Sequence, residues 1–278
     1  YYSTLESLDL RSLRTGATVR KISLHNGSYN TSTDELVGNV YRSISPGTRV
    51  IALTWVHSST GLKIPVKEIA ETISSINKSR ADEDRVLLCV DGVHGLGVEN
   101  VNIEEVGCDF FVAGTHKWMF GPRGTGIFWG RDDAWKDVVA TIPTFSRSET
   151  AGQAMTPGGF HSFEHRWALN EAFDFQRTIG KEQVEKRIHQ LNTQLKEGLR
   201  NMSSVTLHTP VSEELSAGLV CFEVDGFTPY EVVKRLEDRY IIATTTPGTY
   251  KERYVRLAPG LLNNPSEVER TLAAIREL

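Results

Sequence analysis

The sequence lacks most of the features that assign a function at a glance. Only 3 of its 278 residues are cysteines. Cys89, Cys108 and Cys221 each lie in or beside an apolar stretch, and no two have metal-ligand spacing. Buried, inert thiols are therefore expected rather than a disulfide framework or a cysteine-built metal centre. Charge of neither sign dominates, and the formal net charge is -4. No basic stripe suits nucleic acid, and no long run of one sign suits a disordered tail. No apolar run approaches the roughly 20 residues of a membrane span. Internal repeats and low-complexity segments are absent too. The run Gly92-Val93-His94-Gly95-Leu96-Gly97 does not have the spacing of a dinucleotide fingerprint. What is present is enough apolar material, 39% of residues, to bury a large core. A small-molecule ligand is the expectation, with no nucleic acid and no membrane as partner.

The first half alternates strand and helix. Residues 4 to 14 read as a helix and 17 to 24 as a strand. Ser32-Thr33-Asp34-Glu35 has the form of a capping box opening a helix that ends near Pro46-Gly47. Apolar runs over residues 49–56, 86–90, 109–113 and 126–129 read as buried strands, with a helix from about Pro65 to Arg80 between the first two. Continuous apolar strands separated by helices predict an α/β fold with a mainly parallel sheet covered on both faces. A loop-rich stretch over residues 131–160 precedes a long helical region over 165–201. Residues 205–278 read as strand, helix, strand, strand, helix, with half-polar strands that suit an open α+β layer. The expected division is a large domain over 1–180 and a smaller one over 181–278.

Two residues stand out against this frame. Asp91 ends the strand 86–90, and ligands of open α/β sheets bind beyond the carboxyl ends of strands. Alone it would read as a cap or turn aspartate. Lys117 follows the strand 109–113 through Gly114-Thr115-His116 and precedes an aromatic, glycine-rich stretch, Trp118 to Gly126. Alone it would read as a surface lysine beside a turn. A partly desolvated lysine has a lowered pKa and acts as an amine nucleophile. Together, at the ends of neighbouring strands, the two would face one crevice. An amine nucleophile and a carboxylate for a ring nitrogen are the pair that pyridoxal 5′-phosphate (PLP) chemistry requires.

Val90-Asp91-Gly92-Val93-His94, Cys108 to Lys117 and Gly121-Pro122-Arg123-Gly124-Thr125-Gly126 resemble the class V aminotransferases of PLP fold type I. Residues 55–61 and 156–166 look most similar to its isopenicillin N epimerase-like subgroup, within it to siderophore-tailoring PLP enzymes. The resemblance implies a large domain with a seven-stranded type of sheet and a smaller C-terminal α+β domain. It implies Lys117 as the Schiff-base lysine and catalytic proton carrier, and Asp91 as the partner of the pyridine nitrogen. His116 would contact the cofactor phosphate, and His94 would stand where relatives often carry a glutamine facing the ring hydroxyl. Ser58 falls where desulfurases carry an asparagine. Gly114 replaces a phosphate-binding serine, so Thr115 is the expected hydroxyl donor. Arg256 matches the arginine that grips a substrate carboxylate, a task suited to a forked guanidinium. Ser162, or His161 beside it, would reach a partner subunit's cofactor phosphate or the substrate, and a homodimer is implied.

Two departures qualify the resemblance. Desulfurases need a nucleophilic cysteine shortly before that arginine, and residues 243–249 contain none. A persulfide mechanism is therefore not expected. Relatives also begin upstream of Tyr1, with a phosphate-binding loop and a ring-stacking residue, so an N-terminally incomplete large domain is expected. Without an initiator methionine, cytoplasm is the default location, and periplasm the expectation if an export signal precedes Tyr1. A competing motif is His161-Ser162-Phe163-Glu164-His165, which fits the H-x-x-E-H pattern of zinc peptidases. Its bland alternative is a helix start capped by Ser162. The leading expectation is a PLP enzyme acting at the α-amino group or Cα of an amino acid, or of an amino-acid unit of a secondary metabolite. No metal is expected for it. A zinc hydrolase and a non-catalytic fragment are the alternatives.

Overall fold

The computed structural model describes residues 1–142, 150–155, 162–250 and 252–278. Helix α1 (Tyr2–Thr15) ends on Gly16, whose φ of 71° suits a left-handed cap. Residues 17–24, expected as a strand, form none. An extended segment is held by its ladder partners, and here Ile22 is left exposed instead. Helix α2 (Thr33–Ser43) opens on Ser32, whose hydroxyl accepts from the Glu35 backbone N–H at 3.2 Å. The Glu35 carboxylate takes the Thr31 hydroxyl, so only half of the expected capping box forms.

The alternation that follows is β1 (Val50–Thr54), α3 (Val66–Asn77), β2 (Leu87–Asp91), α4 (Ile103–Val106), β3 (Phe110–Gly114) and β4 (Gly126–Gly130). Among the described residues these four strands make one sheet in the order β1-β2-β3-β4. The first three run parallel and β4 is antiparallel to β3. The chain continues through α5 (Ala151–Met155), α6 (Phe163–Ile179) and α7 (Lys181–Arg200). The single long helix expected over 165–201 is thus two. Gly180 separates them at φ 93° and ψ 129°, a conformation outside the helical region and open essentially to glycine.

The C-terminal layer contains β5 (Val205–Leu207), β6 (Val220–Val224), α8 (Pro229–Glu237), β7 (Thr244–Thr245), β8 (Val255–Leu257) and α9 (Pro265–Arg276). Its strands form an antiparallel sheet in the order β5-β6-β8-β7. The short β5 is one strand more than the sequence pattern suggested. Helices α8 and α9 each carry a reciprocal capping box, Thr228 with Glu231 and Asn264 with Glu267, and a proline in the first turn. Such caps contribute about 1 kcal/mol each.

Two apolar cores result. One gathers Leu36, Val56, Ile69, Leu88 and Phe111 between helices and the parallel sheet. The other gathers Phe222, Val232, Leu236 and Leu272. Helix α7 serves both: Val184 and Ile188 belong to the first and Leu191, Leu195 and Leu199 to the second. Burying each such side chain contributes roughly 1.5–3 kcal/mol. One backbone and one side-chain hydrogen bond join the layers beyond the end of β1, where Lys63 N–H donates to the Leu215 carbonyl at 2.9 Å and the Thr209 hydroxyl to the Thr60 carbonyl at 2.7 Å.

Candidate active site

The carboxyl ends of β1, β2 and β3 create the site. Thr54, Asp91 and Val112 lie side by side in the ladder, so Asp91 closes the middle strand at the sheet's rim. A tight turn follows, with the Gly95 and Leu96 N–H groups both donating to the Gly92 carbonyl. Glycine is required at its first position, because a Cβ on Gly92 would overlap the Phe111 ring. The turn returns the chain so that His94 is buried beneath the rim. After β3, the Gly121 N–H donates to the Thr115 carbonyl at 2.8 Å, folding the intervening residues into a compact loop. That loop brings Lys117 Nζ to 3.2 Å from His94 Nε2. The Trp118 indole donates to His94 Nδ1 at 3.3 Å, and Gln176 on α6 donates to the Trp118 carbonyl at 2.8 Å.

Electrostatics mark these groups as unusual. Loss of hydration lowers the Lys117 amine below its ordinary value; the Arg256 charge adds to this and the Asp91 carboxylate opposes it. Burial pushes His94 down to about 3, helped by the charges of Lys117 and Arg256. Burial is also the main reason that His57 falls to about 4. Both imidazoles are therefore neutral near pH 7.

The C-terminal layer completes the crevice. Arg256 on β8 donates through Nη1 to the Ser58 carbonyl at 3.1 Å and through Nε to the Thr244 hydroxyl at 3.3 Å. Ser58 is buried, and its hydroxyl lies 3.1 Å from the Tyr250 hydroxyl. The Tyr250 ring packs edge-on against His57 with centroids 5.2 Å apart. His57, Trp118 and Tyr250 had not been singled out as site residues. The only sequence signals for them were the adjacency of Trp118 to Lys117 and of His57 to Ser58, and the place of Tyr250 shortly before Arg256.

Among the expected site residues, the structure thus groups Asp91, His94, Lys117, Arg256 and Ser58. The other three are placed differently. Thr115 is a correction: it is fully buried, and its hydroxyl is engaged by Thr125 Oγ1 at 2.5 Å, which itself donates to the Pro122 carbonyl. In this arrangement that hydroxyl is turned to Thr125 and away from solvent. His116 is exposed, and its ring lies over Gly114, where an added Cβ would come within 2.9 Å of it. Ser162 caps α6, accepting from the His165 N–H and donating to Glu164 Oε2 at 2.9 Å. Of the competing zinc motif, His161 lies outside the described residues, while Glu164 and His165 occupy the first turn of α6.

Among the described residues, Glu99, Glu185 and His189 are close enough to share a cation. Glu99 is already bound by Lys63 Nζ at 2.6 Å and by His189 at 3.0 Å, so an ammonium fills that role. Cys108 and Cys221 are buried as expected, and Cys89 is half-buried. Burial raises Cys89 to about 11 and Cys108 and Cys221 to about 12. Cys221, which pairs with Arg256 in the β6–β8 ladder, is wholly enclosed.

Comparison with known proteins agrees with this architecture. A family profile described as aminotransferase class-V matches residues 4–251. The chain is 26% identical over 210 residues to a probable cysteine desulfurase of Halalkalibacterium halodurans, covering 72% of this chain and 49% of that protein. It is 24% identical over 261 residues to an isopenicillin N epimerase of Streptomyces clavuligerus, covering 88% and 64% respectively. It thus spans about half to two thirds of the length of these curated relatives. In fold it resembles a cystine C–S lyase solved with its product cysteine persulfide, with a TM-score of 0.84, 20% identity and coverage of 99% of this chain and 72% of that one. A cysteine desulfurase from Thermococcus onnurineus gives a TM-score of 0.79 at 20% identity, covering 97% and 68%.

Proposed function

Because the chain belongs to the class V aminotransferase family, we propose that it is the catalytic body of a PLP-dependent enzyme acting at the α-amino group or Cα of an amino acid. The substrate is a free amino acid or an amino-acid unit of a secondary metabolite such as a siderophore peptide. The observation that carries this is the convergence of a primary amine, Lys117, exposed at the rim and partly desolvated, with a neutral imidazole, His94, beside the charges of Asp91 and Arg256. These groups fit the cofactor's chemistry: a nucleophilic amine for its aldehyde, a carboxylate for its ring nitrogen and a neutral donor for its ring oxygen. When bound, PLP supplies an electrophilic carbon for amines and a ring that accepts the electron pair released at Cα.

The residues divide the work by position. Asp91 would hold the cofactor's ring nitrogen and keep a proton on it. Lys117 Nζ would be the amine that holds the cofactor through its aldehyde carbon and the base that accepts the proton from the substrate's Cα. Arg256, held from both sides by the Ser58 carbonyl and Thr244, offers its remaining N–H groups to a substrate carboxylate. Tyr250 is anchored on Ser58, whose carbonyl also holds that arginine, and on His57. A cysteine desulfurase reaction is disfavoured. Residues 243–249 hold no thiol, and the thiol in register with Arg256 is buried with its pKa raised.

The test is a visible absorption spectrum of the protein with PLP, before and after borohydride, followed by peptide mass mapping. A yellow band that reduction removes, with pyridoxyl mass on the Lys117 peptide and neither in Lys117→Ala, is the expected result. A Lys117→Ala protein that keeps the band or full turnover overturns the assignment.

A further inference from the structure

Trp118 has a role beyond packing. Its indole N–H can only donate a hydrogen bond, and it points at His94 Nδ1 from 3.3 Å. Nδ1 must then carry a lone pair. A neutral imidazole bears one proton, so that proton sits on the other nitrogen, Nε2. Nε2 lies 3.2 Å from Lys117 Nζ. A donor at Nε2 requires an acceptor at Nζ, and a lysine nitrogen accepts only as the free amine.

The indole cannot swing away to release this constraint. A Cβ on Gly218 would overlap its ring, and one on Gly260 would lie 3.4 Å from it. On the other side its carbonyl is held by Gln176 of α6. Full protonation of His94 is opposed first by its burial and then by the Arg256 charge beside it. The Lys117 amine itself faces Arg256 as a like charge and Asp91 as an opposite one.

We propose that Trp118 is a positioning residue: by donating to His94 Nδ1 it fixes the proton on Nε2 and so holds Lys117 as an unprotonated amine, ready to capture an aldehyde. This rests on Lys117 being the reactive lysine, and it concerns the chain's own hydrogen bonds before any cofactor binds. It yields a measurable consequence in the free protein, because the fraction of free amine sets the rate at which Lys117 reacts with any electrophile.

The experiment is labelling of the full chain with trinitrobenzenesulfonate across neutral to alkaline pH, with peptide mass mapping. Lys117 is followed against exposed Lys67 and Lys136. In the wild type Lys117 should label with a midpoint below theirs. Trp118→Phe keeps a ring and removes the donor, so the midpoint should rise. A rise of one pH unit means about tenfold slower labelling at neutral pH. In His94→Phe no ring nitrogen is left to pass on the indole's choice of proton position, so adding Trp118→Phe to it should change nothing further. A native-like Trp118→Phe protein with an unmoved Lys117 midpoint overturns the proposal. So does a double variant that shifts as much as the single one. If Trp118→Phe does not fold, nitrogen-15 NMR of His94 in the wild type decides. A proton on Nε2 supports the role, and a proton on Nδ1 refutes it. The reagent involves no PLP, so loss of the visible band described above would leave this result standing on its own.

Discussion

At the scale of single residues, Asp91 and Lys117 were legible because each follows an apolar strand directly, and strand order alone carries both to the same rim. Arg256 and Ser58 were legible only through the family resemblance. Their contact spans 198 positions, and no local pattern reports such a distance. Thr115 was misassigned because a hydroxyl next to Gly114 looks available in sequence, whereas strand alternation turns it inward to Thr125. The buried His94 carries its own pH consequence. Its folded pKa of about 3 lies below the ordinary 6.5, so the unfolded chain binds a proton first as pH falls. The associated stability is intact above about 6.5 and is lost progressively down to about 3, on the order of a few kcal/mol. Denaturant titrations at several pH values should therefore show a falling acid limb in the wild type. The limb should be shallower in His94→Gln, which has nothing to titrate there. Equal limbs would mean that His94 is already protonated in the fold.

At the scale of elements, strands β1 to β4 and helices α1 to α3 followed from apolar runs and caps, to within a few residues. Residues 17–24 did not, since β-structure depends on a neighbour that a one-dimensional pattern cannot supply. The break between α6 and α7 was also hidden, because a lone glycine in a helical pattern is tolerated as often as it is used. Gly180 is used: its φ of 93° and ψ of 129° are strained for any residue with a Cβ. Gly180→Ala should lower stability by about 1–3 kcal/mol, read as a shift in urea midpoint with unchanged slope. It should also slow Lys117 labelling only slightly, since Gln176 would still hold the Trp118 carbonyl from the preceding turn. A gain in stability would show that the two helices prefer to run as one.

At the scale of the whole molecule, Val112 and Phe128 face each other across β3 and β4, and both are exposed. Trp167 and Phe163 of α6 are exposed as well. Apolar surface of this kind commonly marks a contact between chains, which agrees with the homodimer proposed from the resemblance. Light scattering should give twice the 31.0 kDa chain mass, and a monomer at all concentrations would rule it out. The stitch between Ser58 and Arg256 carries a consequence in time rather than space. On the ribosome, the rim holding Lys117 and Asp91 is synthesised long before Arg256 emerges. A nascent chain would therefore carry Lys117 and Asp91 before the arginine that helps lower the lysine's pKa, and before the α6 and β8-side contacts that seat Trp118. The amine's full reactivity is then a property of the finished fold and not of the rim alone.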